Sequence, residues 1–314
     1  MAQIPPEDLH YGTVERIYQH YEDNQEDGLR PHLGASLIGK PCSREIWYKF
    51  RWAGKKPWKG RLLRLVETGK LAEERFVKNL RDIGVTVREF DENGKQLTIS
   101  FFGGHFGGSL DGEAIGLPEA PKTWHVVEMK THNEKSFEDL VKRSVKLSKP
   151  EHYAQMMMYM GGRGLSRALY FAVNKNTDEL YVERIRFDRV FFDELVRKGG
   201  AIVFNDYAPS KLSNDPTSWN FSTKSGCKYC DFVDVCHFSA VPLVNCRTCL
   251  HAKVETNGTW SCNKFHITLD NDRQKIGCQN HLFLPTLIGE PVDAGETFVQ
   301  YKDGRMNLEG GAIV

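Results

Sequence analysis

Seven of the chain's eight cysteines fall between Cys227 and Cys278, and the eighth, Cys42, stands far upstream. No apolar run approaches the ~18–20 residues that a membrane span needs. The first ten residues, MAQIPPEDLH, are polar and acidic and carry no signal-peptide pattern. The chain is therefore expected to be cytoplasmic, where thiols stay reduced. Clustered thiols in that setting read as metal ligands, not disulfides. Cys246-x2-Cys249-x12-Cys262-x15-Cys278 offers four soft ligands on a short, loop-rich segment, which suits a tetrahedral Zn²⁺. Residues 240–284 bury too little to fold without such a staple. Within them Thr256-Asn257-Gly258 reads as a hairpin turn. His251, His266 and His281 are substitute ligands, although four cysteines suffice. A rival partition groups Cys227, Cys230, Cys246 and Cys249 as C-x2-C-x15-C-x2-C, a zinc-ribbon spacing. It leaves Cys42, Cys236, Cys262 and Cys278 as ordinary buried thiols. Spacing alone does not separate the two.

A chain of 314 residues, 40% hydrophobic, has room for one large domain and a small appendage. Its formal net charge of +1 gives no whole-molecule attraction to nucleic acid, so such a partner needs a local patch. Residues 1–30 carry seven acids and two bases. Residues 40–64 reverse this, with nine Lys or Arg against Glu45 alone. Trp47, Tyr48, Phe50, Trp52 and Trp58 are interleaved with them. Cations track phosphates and aromatic faces stack on unpaired bases. Trp47 and Trp52 suit the core, whereas Lys55, Lys56, Trp58 and Lys59 read as an exposed DNA-contacting loop.

Periodicity supplies the elements. A helix is expected near residues 13–21 and another over 63–83, where Leu65, Leu71, Phe76 and Leu80 recur at helical spacing and Gly84 is the stop. VTVREF and QLTISFF alternate around Glu92-Asn93-Gly94, as in a hairpin. GHFGGSLDGEAIG reads as one glycine-spaced strand and WHVVEMKT as a central one. Helices follow near 136–147 and 151–160, with Pro150 suited to the first turn of the second. ALYFAV and ELYVERIRF are two more strands, and 189–204 a further helix. This order predicts an α/β domain with a mixed central sheet flanked by helices. Beyond Pro285, the glycines at 289, 295, 304, 310 and 311 read as a loosely ordered tail.

Glu128 and Lys130 stand two apart on a predicted strand and so share a face, with Met129 turned into the opposite layer. A hairpin-like pairing brings Asp111 beside Glu128. Adjacent carboxylates repel unless a cation joins them, and Mg²⁺ or Mn²⁺ is the hard, oxygen-seeking one. It would activate a water and neutralise a scissile phosphate, with Lys130 orienting the water or stabilising the developing charge. The bland alternative is a surface Glu–Lys pair and an unrelated Asp. The apolar Val126-Val127 before the pair argues against an ordinary exposed edge.

LDG followed by VVEMK resembles the PD-(D/E)XK nuclease superfamily in its RecB-like branch, and the likeness covers most of residues 33–237. HYAQMMMYM resembles that branch's Q-x3-Y helix, which implies that Gln155 and Tyr159 meet DNA near the active site. The surrounding methionines read as core. Where the branch often has G-H-x-x-E, this chain has Gly69-Lys70-Leu71-Ala72-Glu73. An ammonium cannot ligate a cation, so Glu73 is the candidate from this helix, with Glu74 its rival. The number of catalytic metals stays open. The implied metal ligands are Asp111, Glu128, the Met129 carbonyl and Glu73.

Cys227-x2-Cys230-x5-Cys236 together with distant Cys42 resembles the iron–sulfur members of that branch, the CRISPR-associated RecB-like and AddB-like exonucleases. The likeness implies a 4Fe–4S cluster on four thiolates, stapling the two ends of the nuclease unit, and leaves Cys246, Cys249, Cys262 and Cys278 for Zn²⁺. The implied organisation is an acidic segment (1–30), a nuclease domain (31–239), a zinc module (240–284) and a tail (285–314). The implied activity is a metal-dependent DNA nuclease, expected to be an exonuclease on single strands or DNA ends. Its setting is replication, recombination or repair, in the host cytoplasm if phage-encoded. A non-catalytic nucleic-acid-binding or redox-sensing protein is the alternative.

Overall fold

The computed structural model describes residues 12–220 and 225–314. Helix α1 (Gly12–Asp23) precedes the short β1 (Leu33–Gly34), α2 (Ser43–Phe50) and the long α3 (Gly60–Asp82). Strands β2 (Thr86–Arg88), β3 (Thr98–Phe101), β4 (Phe106–Ser109), β5 (Gly112–Ile115) and β6 (His125–His132) follow. Then come α4 (Glu134–Ser148), α5 (Pro150–Arg163), β7 (Arg167–Asn174), β8 (Leu180–Arg186) and α6 (Arg189–Phe204). The last third holds α7 (Val233–His237), β9 (Ala252–Val254), β10 (Trp260–Cys262), β11 (Ile267–Leu269), α8 (Asn271–Lys275) and α9 (Pro285–Ile288). Strands β12 (Pro291–Ala294), β13 (Phe298–Tyr301), β14 (Met306–Leu308) and β15 (Ala312–Ile313) close it.

The fold is mixed α/β. The central sheet runs β2-β5-β6-β7-β8, with β6 and β7 parallel and the other neighbours antiparallel. The α4–α5 pair makes the crossover that a parallel pair requires. Because strand side chains alternate, β6 serves two layers. Val127 and Met129 pack with Phe76, Val77 and Leu80 of α3. Val126 faces the methionines of α5. A strand covered on both sides is where a charged residue is most costly, and this one carries Glu128.

Two expectations are corrected here. The hairpin around Glu92-Asn93-Gly94 closes only at its neck, where Phe90 bridges Gln96; beyond it β2 joins the central sheet and β3 joins a second sheet ordered β1-β4-β3. The run GHFGGSLDGEAIG likewise divides into β4 and β5, in different sheets. Gly107 lies so close to the Ile99 carbonyl that a Cβ would collide with it. The glycines there permit close strand approach in place of continuing one strand. The break between the two strands falls at Leu110-Asp111.

The end of the chain is also ordered where a loose tail is expected. Strands β12-β13-β14-β15 form a sheet, with Val299 and Tyr301 buried. Gly304 and Gly310 take φ of 90° and 85°, so these glycines mark tight turns. The turn expected at Thr256-Asn257-Gly258 joins the antiparallel β9 and β10. One buried apolar cluster runs from Leu33 through the methionines of α5 to Trp260 and Tyr301. At this joint Arg247 donates to the carbonyls of Phe50 and Pro31 (3.0 and 2.7 Å) and to Gln274 Oε1 (2.8 Å). Its guanidinium lies 3.8 Å from the Trp52 ring.

Candidate functional site

The break at Leu110-Asp111 sets the site. Gly112 pairs with Val127 across β5 and β6, so the residue before Gly112 reaches the residues after Val127. Asp111 Oδ2 accepts from the Met129 backbone N–H at 2.8 Å. Lys130 Nζ stands 3.9 Å from the same oxygen, forms an ion pair with Glu128 Oε1, and donates to the Met129 carbonyl at 3.0 Å. Asp111, Glu128, Lys130 and the Met129 carbonyl thus gather at one point. Glu73, half-buried on α3, lies within the electrostatic reach of Asp111 and Lys130. Its rival Glu74 is exposed.

Glu128 is 0% exposed; its Oε1 is met by the Lys130 ammonium, and its Oε2 accepts no hydrogen bond. Burial pushes its pKa up to about 7; Asp111 and Glu73 add to the rise and Lys130 opposes it. Burial pulls Lys130 down, yet Glu128 and Asp111 outweigh this and hold its ammonium above the usual range. Burial also raises Glu73, with Asp111 assisting. An orphaned oxygen on a buried carboxylate, beside a second carboxylate and a carbonyl, is a hard donor of the kind Mg²⁺ and Mn²⁺ take. Among the described residues, however, no group of three or more His, Cys, Asp or Glu side chains is arranged so that it could hold a metal ion. Lys130 is the cation that Glu128 meets.

On α5, Gln155 Nε2 donates to the Tyr159 hydroxyl at 3.0 Å, and that hydroxyl donates to the Ser109 carbonyl at 2.7 Å. Both residues are buried. They tie α5 to the segment that leads into Asp111.

Cys42, Cys227, Cys230 and Cys236 line one cavity, with Tyr48, Glu45 and His237. Cys42 caps α2 by accepting from the Glu45 N–H at 3.4 Å. Burial pushes the Cys230 thiol up to about 12, and Glu45, Cys42 and Cys236 add to the rise. A second group forms around Cys246, whose thiol is pushed up to about 12 by burial and then by Cys249, Cys278 and Cys262. Each quartet shares a neighbourhood without forming a coordination polyhedron. The zinc-ribbon set is divided between the two groups.

Lys55, Lys56, Trp58 and Lys59 are exposed, whereas Trp47 and Trp52 are buried. Lys56 lies 3.6 Å from Asp231 and Lys59 3.9 Å from Glu22. The basic loop therefore rests partly against acids that the sequence reading did not pair with it. The reading also missed a polar cluster beside the site, formed by His132, Tyr170 and His152. Only the shared strand face of Glu128, Lys130 and His132 signals it.

No protein-family model and no curated protein matches the sequence. Among solved structures the chain is similar to LHK-Exo in complex with dAMP, with 17% identity, a TM-score of 0.41, and coverage of 60% of this chain and 90% of that one. The alkaline exonuclease LHK-Exo from Laribacter hongkongensis gives the same identity and coverage with a TM-score of 0.40. A phage-related exonuclease from Haemophilus somnus 129PT gives 14% identity, a TM-score of 0.39, and coverage of 55% of this chain and 91% of that one. Likeness of this degree leaves the chemistry to be argued from the site itself.

Proposed function

We propose that this chain is a metal-dependent deoxyribonuclease of the PD-(D/E)XK type, acting as an exonuclease on single strands or DNA ends. The observation that carries the reading is a buried Glu128 with one oxygen on the Lys130 ammonium and the other without a hydrogen bond, set beside Asp111. A structural ion pair has its valences filled; this one keeps acceptor capacity at the centre of a sheet. Asp111, Glu128 and the Met129 carbonyl would hold Mg²⁺ or Mn²⁺, with Glu73 drawn in from α3, since the three carboxylates as they stand are not arranged around a common point. When bound, that ion supplies Lewis acidity to the scissile phosphate and lowers the pKa of a bound water. Lys130, freed from Glu128, carries the positive charge that meets the developing charge on phosphate. Gln155 and Tyr159 hold the strand end bearing Asp111 in line with β6.

Residues 31–239 form the nuclease unit in this reading. A 4Fe–4S cluster on Cys42, Cys227, Cys230 and Cys236 staples it. Residues 240–284 hold Zn²⁺ on Cys246, Cys249, Cys262 and Cys278. The support is that each quartet shares one neighbourhood and that burial raises the thiols of Cys230 and Cys236 in one and of Cys246 and Cys249 in the other, groups that become good thiolate ligands once cations are present.

The deciding experiment incubates anaerobically purified protein with end-labelled single- and double-stranded DNA, with Mg²⁺, Mn²⁺ or EDTA. Metal analysis runs in parallel. Cleavage that needs the divalent ion and vanishes in Glu128→Gln is expected, with roughly four Fe and one Zn per chain. Cleavage surviving EDTA sinks the metal mechanism. Zinc without iron, with a harmless Cys42→Ala, sinks the cluster.

A further inference from the structure

Helix α5 is packed by methionines: Met156, Met157, Met158 and Met160 are all fully buried. Flexible thioethers fill space without fixing register, so directional contacts must hold this helix over the sheet. One is the Tyr159–Ser109 hydrogen bond toward its C-terminal half. A second lies near its start, in the cluster that the nuclease reading leaves unused. The buried Tyr170 of β7 has its hydroxyl 2.8 Å from His132 Nε2 on β6 and 2.8 Å from His152 Nδ1 on α5. The rings stack, with His132 and His152 centred 6.0 Å apart at 25°. Ser136 Oγ lies 3.3 Å from His132 Nδ1.

The placement links this cluster to the chemistry. Glu128, Lys130 and His132 alternate along one face of β6. Tyr170 is the partner of Glu128 in the parallel register. His152 precedes Gln155 by three residues and Tyr159 by seven, hence shares their helical face. We propose that Tyr170, His132 and His152 form a positioning clamp that fixes α5 against the catalytic strand, and that the clamp acts on DNA cleavage only through that alignment. The proposal rests on the nuclease reading. A single phenolic proton serves both rings: the hydroxyl donates to one imidazole and accepts from the other. Because His132 presents Nε2 and His152 presents Nδ1, the two histidines then hold the same tautomer, both Nδ1–H or both Nε2–H, which makes the clamp one unit of three residues.

Tyr170→Phe keeps the ring and deletes only the hydroxyl. It should lower kcat about fivefold to tenfold, because the hydroxyl's bonds to both rings are lost together, with KM for DNA changed less than about twofold. An Asn amide nitrogen sits where imidazole Nδ1 was, and a Gln amide nitrogen where Nε2 was. So His152→Asn and His132→Gln should retain kcat, while His152→Leu and His132→Leu should fall as Tyr170→Phe does. The double variant Tyr170→Phe/His152→Leu should lose no more than either single change. Imidazole ¹⁵N NMR of the wild type at neutral pH should give one and the same tautomer in both rings, which becomes mixed in Tyr170→Phe. Additive losses, a shift in KM in place of kcat, or no rescue by Asn and Gln overturn the clamp. A wild-type chain that cuts no DNA fails the nuclease reading instead. The clamp is then judged by the ring signals alone, and tautomers unmoved by Tyr170→Phe overturn it.

Discussion

Arg247 lies beneath Trp52 at 1% exposure, and Glu128 lies on the central strand at 0%. Each is a charge taken out of water, which is costly unless its hydrogen-bonding capacity is met. Arg247 has this capacity met by two carbonyls, a glutamine oxygen and the aromatic face. No carboxylate pairs with it among the described residues, and burial, then repulsion from Arg51, lowers its pKa to about 9. Glu128 has one ammonium neighbour on Oε1 and no hydrogen bond to Oε2. The contrast teaches that burial alone does not mark function. A saturated buried charge holds a joint together; an unsaturated one keeps room for something else to bind.

Exchange of roles would break this comparison, so the largest effects are expected from these two residues. Arg247→Ala strands the carbonyls of Phe50 and Pro31 and removes the Trp52 contact. It should destabilise the fold by roughly 3–5 kcal/mol in chemical denaturation. Glu128→Gln should leave stability within about 1 kcal/mol and reduce cleavage by about a thousandfold or more. An Arg247→Ala protein of normal stability, or a Glu128→Gln protein that unfolds, defeats the distinction.

The second expectation uses pH. Glu128's folded pKa, about 7, exceeds its ordinary 4.5. Its contribution to stability is therefore full below about 4.5 and lost as pH rises through about 7, where the buried carboxylate must ionise. A divalent cation competes with that proton. Cleavage at limiting Mg²⁺ should rise with pH through the region near 7, and more Mg²⁺ should move the rise to lower pH. Thermal melting should show a larger Mg²⁺-dependent gain at pH 8 than at pH 6. Equal gains at both values would mean that Glu128 does not bind the ion.

Much of this contrast could be read in the chain. Glu128 and Lys130 are two residues apart in one strand, so period-two alternation aligns them without knowledge of the fold. Gln155 and Tyr159 are four apart on a helix, which aligns them equally. Local periodicity failed where strand pairing was non-local. The neck at Phe90 and Gln96 looks like a hairpin, yet β2 and β3 part to different sheets because the segment holding Asp111 supplies a partner to each. Glycines at 304 and 310 carry a turn signal that composition alone does not distinguish from a loosely ordered tail. The bonds of Arg247 reach back about two hundred residues to Phe50 and Pro31, and no spacing rule reports contacts of that range.

The smallest effects are expected at the exposed extreme, in the loop of Lys55, Lys56, Trp58 and Lys59, where screening by water and salt limits each charge. If the loop tracks phosphate, Lys55→Glu should flatten the plot of log affinity against log salt by about 0.7–0.9, the share of one lost contact. Lys56→Glu and Lys59→Glu should flatten it less, because Asp231 and Glu22 already share their charge. The loss should be independent of sequence, since phosphate contacts carry no base information. Trp58 is 44% exposed, and its backbone, not its indole, is tied to Gln25. Trp58→Ala should therefore leave the melting temperature unchanged and weaken single-stranded DNA more than duplex, by roughly 1–3 kcal/mol for one stacked base. An unchanged salt slope with a lowered melting point would make the loop a scaffold around Cys42 and remove it from the DNA path. The flattened slope with unchanged melting would extend the contrast to a third kind of charge, one that neither holds the fold nor reacts but only steers the substrate.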